Sequence, residues 1–186
     1  MIKLLREFKK NEDGLAAIEF ALTLPLLTIL YFGTIEASML VEADRRVTST
    51  ASTIADLVAR TREVNYCEME DIFYASSRII RSKSKGQVKM RISSITEDPN
   101  TGKNTVEWSQ GRNGMSGLPE GSEVTVDAGI MPSAGSVILA EVEYPYDTPF
   151  QYIYKSASNL KQHFYLRPRQ SNKVEWIGPT TNPGNC

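Results

Sequence analysis

Gly14-Leu15-Ala16-Ala17-Ile18-Glu19-Phe20, continued by apolar residues as far as Val41, decides how this chain is built. Phe20 to Ile35 carries no charge, and only Glu19 and Glu36 interrupt the wider run from Leu15 to Val41. About 20 predominantly apolar residues suffice for a helix to cross a bilayer. A cleaved secretory signal would have a shorter apolar core of about 7–15 residues ending at small residues. The run is too long for that, and a cut after Ala43 would lie between the charged Glu42 and Asp44. Pro25 and Gly33 lie inside the span. Both residue types are common in membrane helices, where neighbouring groups re-satisfy the backbone that proline leaves open.

Lys3, Arg6, Lys9 and Lys10 precede the span. Basic residues beside a span stay on the cytoplasmic side, so Met1–Gly14 is expected inside and everything after about Val41 in the outer compartment. Arg45 and Arg46 at the far end weaken that bias.

A carboxylate inside a membrane helix is costly and usually functional. In an uncut chain Glu19 can snorkel to the interface, stay protonated or pair with an arginine. If the chain is cut after Gly14, Leu15 acquires a positive α-amine one helical turn from Glu19, at the i, i+4 spacing that places two groups on one face. Such a pair, within the chain or with a neighbour, sets register between packed helices, because removing one partner strands a charge at a cost of about 3–5 kcal/mol.

The basic leader, the glycine, four mostly apolar residues, the glutamate and the apolar helix resemble the processing site of type IV pilins and pseudopilins. The longer string through Leu24-Pro25-Leu26-Leu27 and Phe32-Gly33-Thr34-Ile35-Glu36, and then Ala51 to Val58, is similar to the TadE-like family of tight-adherence (Flp) pilus assembly proteins. The resemblance covers about residues 6–60. It implies cleavage between Gly14 and Leu15 by an inner-membrane prepilin peptidase. It makes Phe20, Pro25, Gly33 and Glu36 family-motif residues. It also implies a minor pseudopilin that helps to build a pilus with other pilin and pseudopilin subunits and the assembly machinery. The location implied is the bacterial inner membrane, crossed once. Longer relatives often carry a metal motif of the form Asp-x-Ser-x-Ser, which is absent here. An uncut membrane-anchored periplasmic scaffold or binding protein is the alternative.

The remaining composition excludes more than it proposes. A net charge of −1 gives no basic face for nucleic acid. No metal-ligand cluster, nucleophile motif or phosphate loop is present, so no enzyme, cofactor, metal or small-molecule substrate is expected. His163, the one histidine, is expected at a strand edge, and Glu141 and Glu143 on the solvent face of a strand. Cys67 and Cys186 are compatible with a disulfide in an oxidising compartment or with two thiols, and spacing alone does not place them together.

Val47, Ala51, Ile54 and Val58 form one helical stripe, so the membrane helix is expected to continue to about residue 62. A second helix is predicted over about Glu68–Ser84, ending near Lys83, Lys85 and Gly86. Strands follow at Val88–Ser93, Thr105–Ser109, Ser136–Tyr146, Phe164–Arg169 and Lys173–Ile177, with Glu123–Val126 as a short edge strand. Tyr144, Tyr146, Phe150, Tyr152 and Tyr154 offer either core or a partner surface. The fold class is α+β: a long N-terminal membrane-spanning helix continuing into a small domain with a second helix and an antiparallel sheet. The expected divisions are a cytoplasmic leader (1–14), the transmembrane and extended amphipathic helix (15–62) and a periplasmic domain (63–186).

Overall fold

A computed structural model describes residues 14–80, 88–98, 100–127, 129–132, 135–147, 158–179 and 186. The expected leader before Gly14, the helix-ending residues Lys83, Lys85 and Gly86, and the aromatics Phe150, Tyr152 and Tyr154 lie outside the described residues.

The elements run α1 (Leu15–Ala59), β1 (Glu63–Val64), α2 (Tyr66–Ser77), β2 (Lys89–Glu97), β3 (Asn104–Arg112), β4 (Ser136–Tyr146), β5 (Ser158–Leu166) and β6 (Glu175–Trp176). Strands β2 to β5 form one antiparallel sheet in the order β3-β2-β4-β5, and β1 pairs with β6 in parallel. The architecture is thus α+β, with a long apolar helix leading into a domain that holds a second helix and an antiparallel sheet.

The outer half of α1 lies across β4 and β5. Val47, Ala51, Ile54 and Val58 are all completely buried, so the stripe serves this chain's own core. Burying a valine or isoleucine fully contributes about 1.5–3 kcal/mol each. Even-numbered residues of β4 (Ile138, Ala140, Val142, Tyr144, Tyr146) face the helix, together with Met90 and Ile92 of β2. Met69 and Phe73 of α2 close the same core.

The odd-numbered side of the sheet is divided. Val137 and Leu139 are buried beside Ile95 and Val106, because the glycine-rich connection after β3 folds back over them. Val106 bonds to Ser122 through its N–H and to Gly121 through its carbonyl. Two glycines permit this close approach: a Cβ on Gly111 would come within 1.9 Å of the Met115 carbonyl oxygen, and one on Gly117 within 2.5 Å of that of Ser109. The rest of that side, from Lys89 to Lys161, is polar.

Several sequence expectations shift. Asn65-Tyr66-Cys67 starts the second helix: Asn65 accepts from the Glu68 N–H while Glu68 accepts from the Asn65 N–H, a reciprocal cap. That helix stops at Ser77, well short of residue 84, with Arg78 as its cap. Glu123 makes one bridge to Thr105 instead of a strand. Strand β5 begins at Ser158 and ends at Leu166, where Phe164–Arg169 was expected. β3 carries one extra residue, Glu107, opposite the Ser94–Ile95 step, a bulge that keeps Trp108 on the core side.

Candidate functional site

The site is the N-terminal half of α1, where a regular helix stands clear of the domain. Gly14 caps it with φ −82° and ψ −15°, and no side chain closes the cap. That conformation is open to any residue, and a Cβ on Gly14 would touch nothing. Neither backbone strain nor packing demands the glycine. Leu15, Ile18, Phe20, Leu22 and Leu26 each expose more than half of their surface. An 18-residue window of this helix has a mean hydropathy of 1.9 and no buried residue.

The serine and threonine hydroxyl groups of this half of the helix are satisfied within it, as a lipid environment requires. Thr23 donates to the Glu19 carbonyl at 2.9 Å, Thr28 to Leu24 at 2.8 Å, Thr34 to Leu30 at 2.7 Å and Ser38 to Thr34 at 2.8 Å. Each hydroxyl returns to the carbonyl four residues back, so none faces lipid unbonded. Pro25 lies within the continuous helix. Its missing N–H frees the Ala21 carbonyl.

Glu19 is exposed on this helix, one turn from Leu15. Among the described residues its carboxylate has no hydrogen bond or ion pair.

The second half of the motif is placed quite differently. Phe32 and Gly33 are half-buried, and Glu36 is 1 % exposed, covered by the domain. Burial, followed by the charges of Tyr144, Glu36 and Glu42, pushes the Tyr146 phenol above its usual pKa. Farther along, Asp44 accepts from the Gln162 amide at 2.8 Å, and Asp56 meets Arg60 and Arg169 at 2.5 and 2.6 Å. Sequence reasoning missed Asp44 and Asp56 as anchors, because their partners lie more than a hundred residues away or outside any periodic segment.

The C-terminal segment grips the far end of the same helix. Arg169 N–H donates to the Ala59 carbonyl, Glu175 N–H to Arg62 and Ile177 N–H to Val64. A disulfide joins Cys67, in the first turn of α2, to Cys186 across 119 residues.

The other candidates do not converge into a catalytic arrangement. His163 is exposed and stands across from Glu141 on the polar side of the sheet, with its ring edge-on to Tyr165 at 5.5 Å. Glu141 is held by Arg91 through two bonds of 2.6 and 2.8 Å, and Glu143 pairs with Lys161. These groups line a shallow depression of about 540 Å³, and each carboxylate there is already occupied by a cation. Among the described residues no group of three or more His, Cys, Asp or Glu could hold a metal.

Searches of curated proteins and of solved structures gave no match. The family described as TadE-like protein matches residues 14–56, starting at the glycine that caps α1 and ending inside the buried stripe. It is a family of non-catalytic assembly proteins, whose pseudopilin role involves a single membrane-spanning N-terminal helix and partners in pilus assembly. From Gly14 to Asp56, the N-terminal helical region, this chain is similar to the TadE-like family.

Proposed function

We propose that the chain is a minor pseudopilin-like subunit of a tight-adherence pilus system, matured by prepilin peptidase cleavage between Gly14 and Leu15. The observation that carries this reading is Gly14 itself. It borders the helix in open space, with an ordinary φ and no neighbour that a side chain would meet. A glycine that the fold does not need is explained by a processing enzyme that does. Cleavage leaves Leu15 as the first residue of α1. Its α-amine then lies one turn from Glu19, which has no other partner among the described residues.

Partners are prepilin peptidase first, then pilin and pseudopilin helices packed along the exposed face from Leu15 to Tyr31. Glu19 balances an amine in its own or a neighbouring chain, and Phe20 and Pro25 belong to the same packing surface. Gly33 and Glu36 act at the other end, where the domain meets the helix. The leader (1–14) is cytoplasmic, the helix (15–62) crosses the inner membrane once, and the domain (63–186) is periplasmic. The disulfide between Cys67 and Cys186 supports that orientation, since disulfides persist in oxidising compartments.

The experiment is to identify the N-terminal residue of the protein recovered from membranes of cells that make it. Leu15 is expected. An intact Met1 would instead favour an uncut, membrane-anchored periplasmic scaffold.

A further inference from the structure

Two lengths and a pattern of burial set the boundary between span and domain. Leu15 to Ile35 is about 31 Å of helix at 1.5 Å per residue, matching a hydrocarbon core of about 30 Å. The domain first covers the helix at Phe32 and Gly33, and buries it at Glu36. The second length comes from β5, which climbs away from this point. Gln162 bonds to Asp44, and Arg169 farther on bonds to Ala59 and pairs with Asp56. Running back from Gln162 to Ser158 is about 13 Å of strand, the rise of about nine helical residues, which ends level with residue 35. Ser158 is the register partner of Tyr146, the last residue of β4. The nearness of Glu36 to Tyr146 agrees with that level.

The described part of the sheet therefore ends level with Ile35, the last residue of the uncharged run from Phe20. At this level of α1, Met39 and Val41 remain 39 % and 52 % exposed, and no charged side chain is exposed on the helix between Glu19 and Glu42. Met39 stands about 6 Å beyond Ile35, within the headgroup layer of about 5–7.5 Å on each side that brings a bilayer to about 40–45 Å in all, and Val41, at about 9 Å, just past it. Near the same end of the sheet, Lys89 and Lys161 flank Glu143 across β2, β4 and β5, leaving one positive charge over in that row.

We propose that the domain is seated on the lipid surface: the β4–β5 end of the sheet, with Asp147 and Asn159 exposed on it, rests in the phospholipid headgroup layer together with Met39 of α1. The partner is the zwitterionic or anionic headgroup, continuous with the membrane that α1 already crosses. No water-filled stalk separates span from domain.

The test uses the full chain, reconstituted in phosphatidylcholine–phosphatidylglycerol vesicles that contain a lipid with nickel chelated to its headgroup. Both native cysteines are occupied by the disulfide. Met39→Cys, Asp147→Cys, Asn159→Cys and Thr101→Cys are each labelled with a nitroxide. Thr101 is exposed in the turn between β2 and β3, at the opposite end of the sheet. Several-fold stronger relaxation by headgroup nickel is expected at Met39, Asp147 and Asn159 than at Thr101. Relaxation at Asp147 and Asn159 no greater than at Thr101 overturns the proposal. If Met39 alone responds, the span is correctly placed but the domain is lifted off. If none responds, the span itself ends elsewhere. Either result refutes the seating.

Discussion

The indole Nε1 of Trp108 donates to the Val174 carbonyl at 2.7 Å, a buried hydrogen bond that fastens edge strand β3 to the C-terminal segment. Trp176 packs on the same indole, with ring centroids 5.6 Å apart. Trp108→Phe keeps an aromatic ring there but leaves the Val174 carbonyl buried and unpaired. A loss of about 1–3 kcal/mol of domain stability is expected. Urea unfolding of the full chain in detergent, followed by far-ultraviolet circular dichroism, measures it.

Two neighbouring positions on α1 should differ sharply. Ile54 is completely buried against the sheet, whereas Leu57 is 36 % exposed. Ile54→Ala should cost about 2–5 kcal/mol through lost burial and the cavity left behind. Leu57→Ala should change stability much less. Equal losses in the same urea titration would mean that the stripe is not the packing surface.

Removing the Cys67–Cys186 bond frees the C-terminal segment that holds α1 and β1. The double variant Cys67→Ser, Cys186→Ser should lose about 2–5 kcal/mol. Reductant applied to the unaltered chain should reproduce that loss and leave the variant unaffected.

Alkaline pH should weaken the domain. Burial lifts the phenols of Tyr146 and Tyr165. The Glu107 carboxylate, through a hydrogen bond and its charge, lifts the Lys173 ammonium. All three groups hold their protons more tightly when folded. Their contribution is therefore complete below the unfolded values, about 10 for tyrosine and 10.4 for lysine, and is lost as pH rises through the folded ones. Lys173 is half in solvent and adds little, so the two tyrosines dominate. Thermal unfolding from pH 7 to pH 11 should show a flat midpoint that falls above about pH 10. Tyr165→Phe should make the fall shallower.

Glu19→Ala should leave insertion and domain stability unchanged, because among the described residues nothing bonds to that carboxylate. Assembled pilus should drop at equal membrane levels of the protein. Unchanged pilus yield would remove Glu19 from any role in subunit register.

The stripe Val47–Val58 and strand β4 were legible because each repeats at the period of its own element. β5 was harder. Its core-facing positions include Gln162, a polar residue placed there to meet Asp44, and that breaks the alternation that identifies a strand. The parallel pair β1–β6 is two residues long on each side and joins segments more than a hundred residues apart, so no local pattern announces it. The apolar pattern overruns the second helix because Ile79 and Ile80 continue its stripe beyond Ser77. Ile80 does enter the core, but from beyond the helix end. Within the site, the stretch from Gly14 to Phe20 is a local pattern and could be read directly. The burial of Glu36 could not, because it depends on where the domain sits along α1. The cysteine pairing likewise depends on backbone bonds from the C-terminal segment to α1 and β1.

The position of α1's partners along the chain sets a timetable. The helix leaves the ribosome first, and its stripe needs strands that end only at Leu166. At about 5–20 residues per second, synthesis keeps that apolar face without its sheet for roughly 5 to 20 s. The newborn chain thus presents two greasy surfaces in succession: one that the membrane accepts at once, and one that must be kept from neighbours until the last strands arrive.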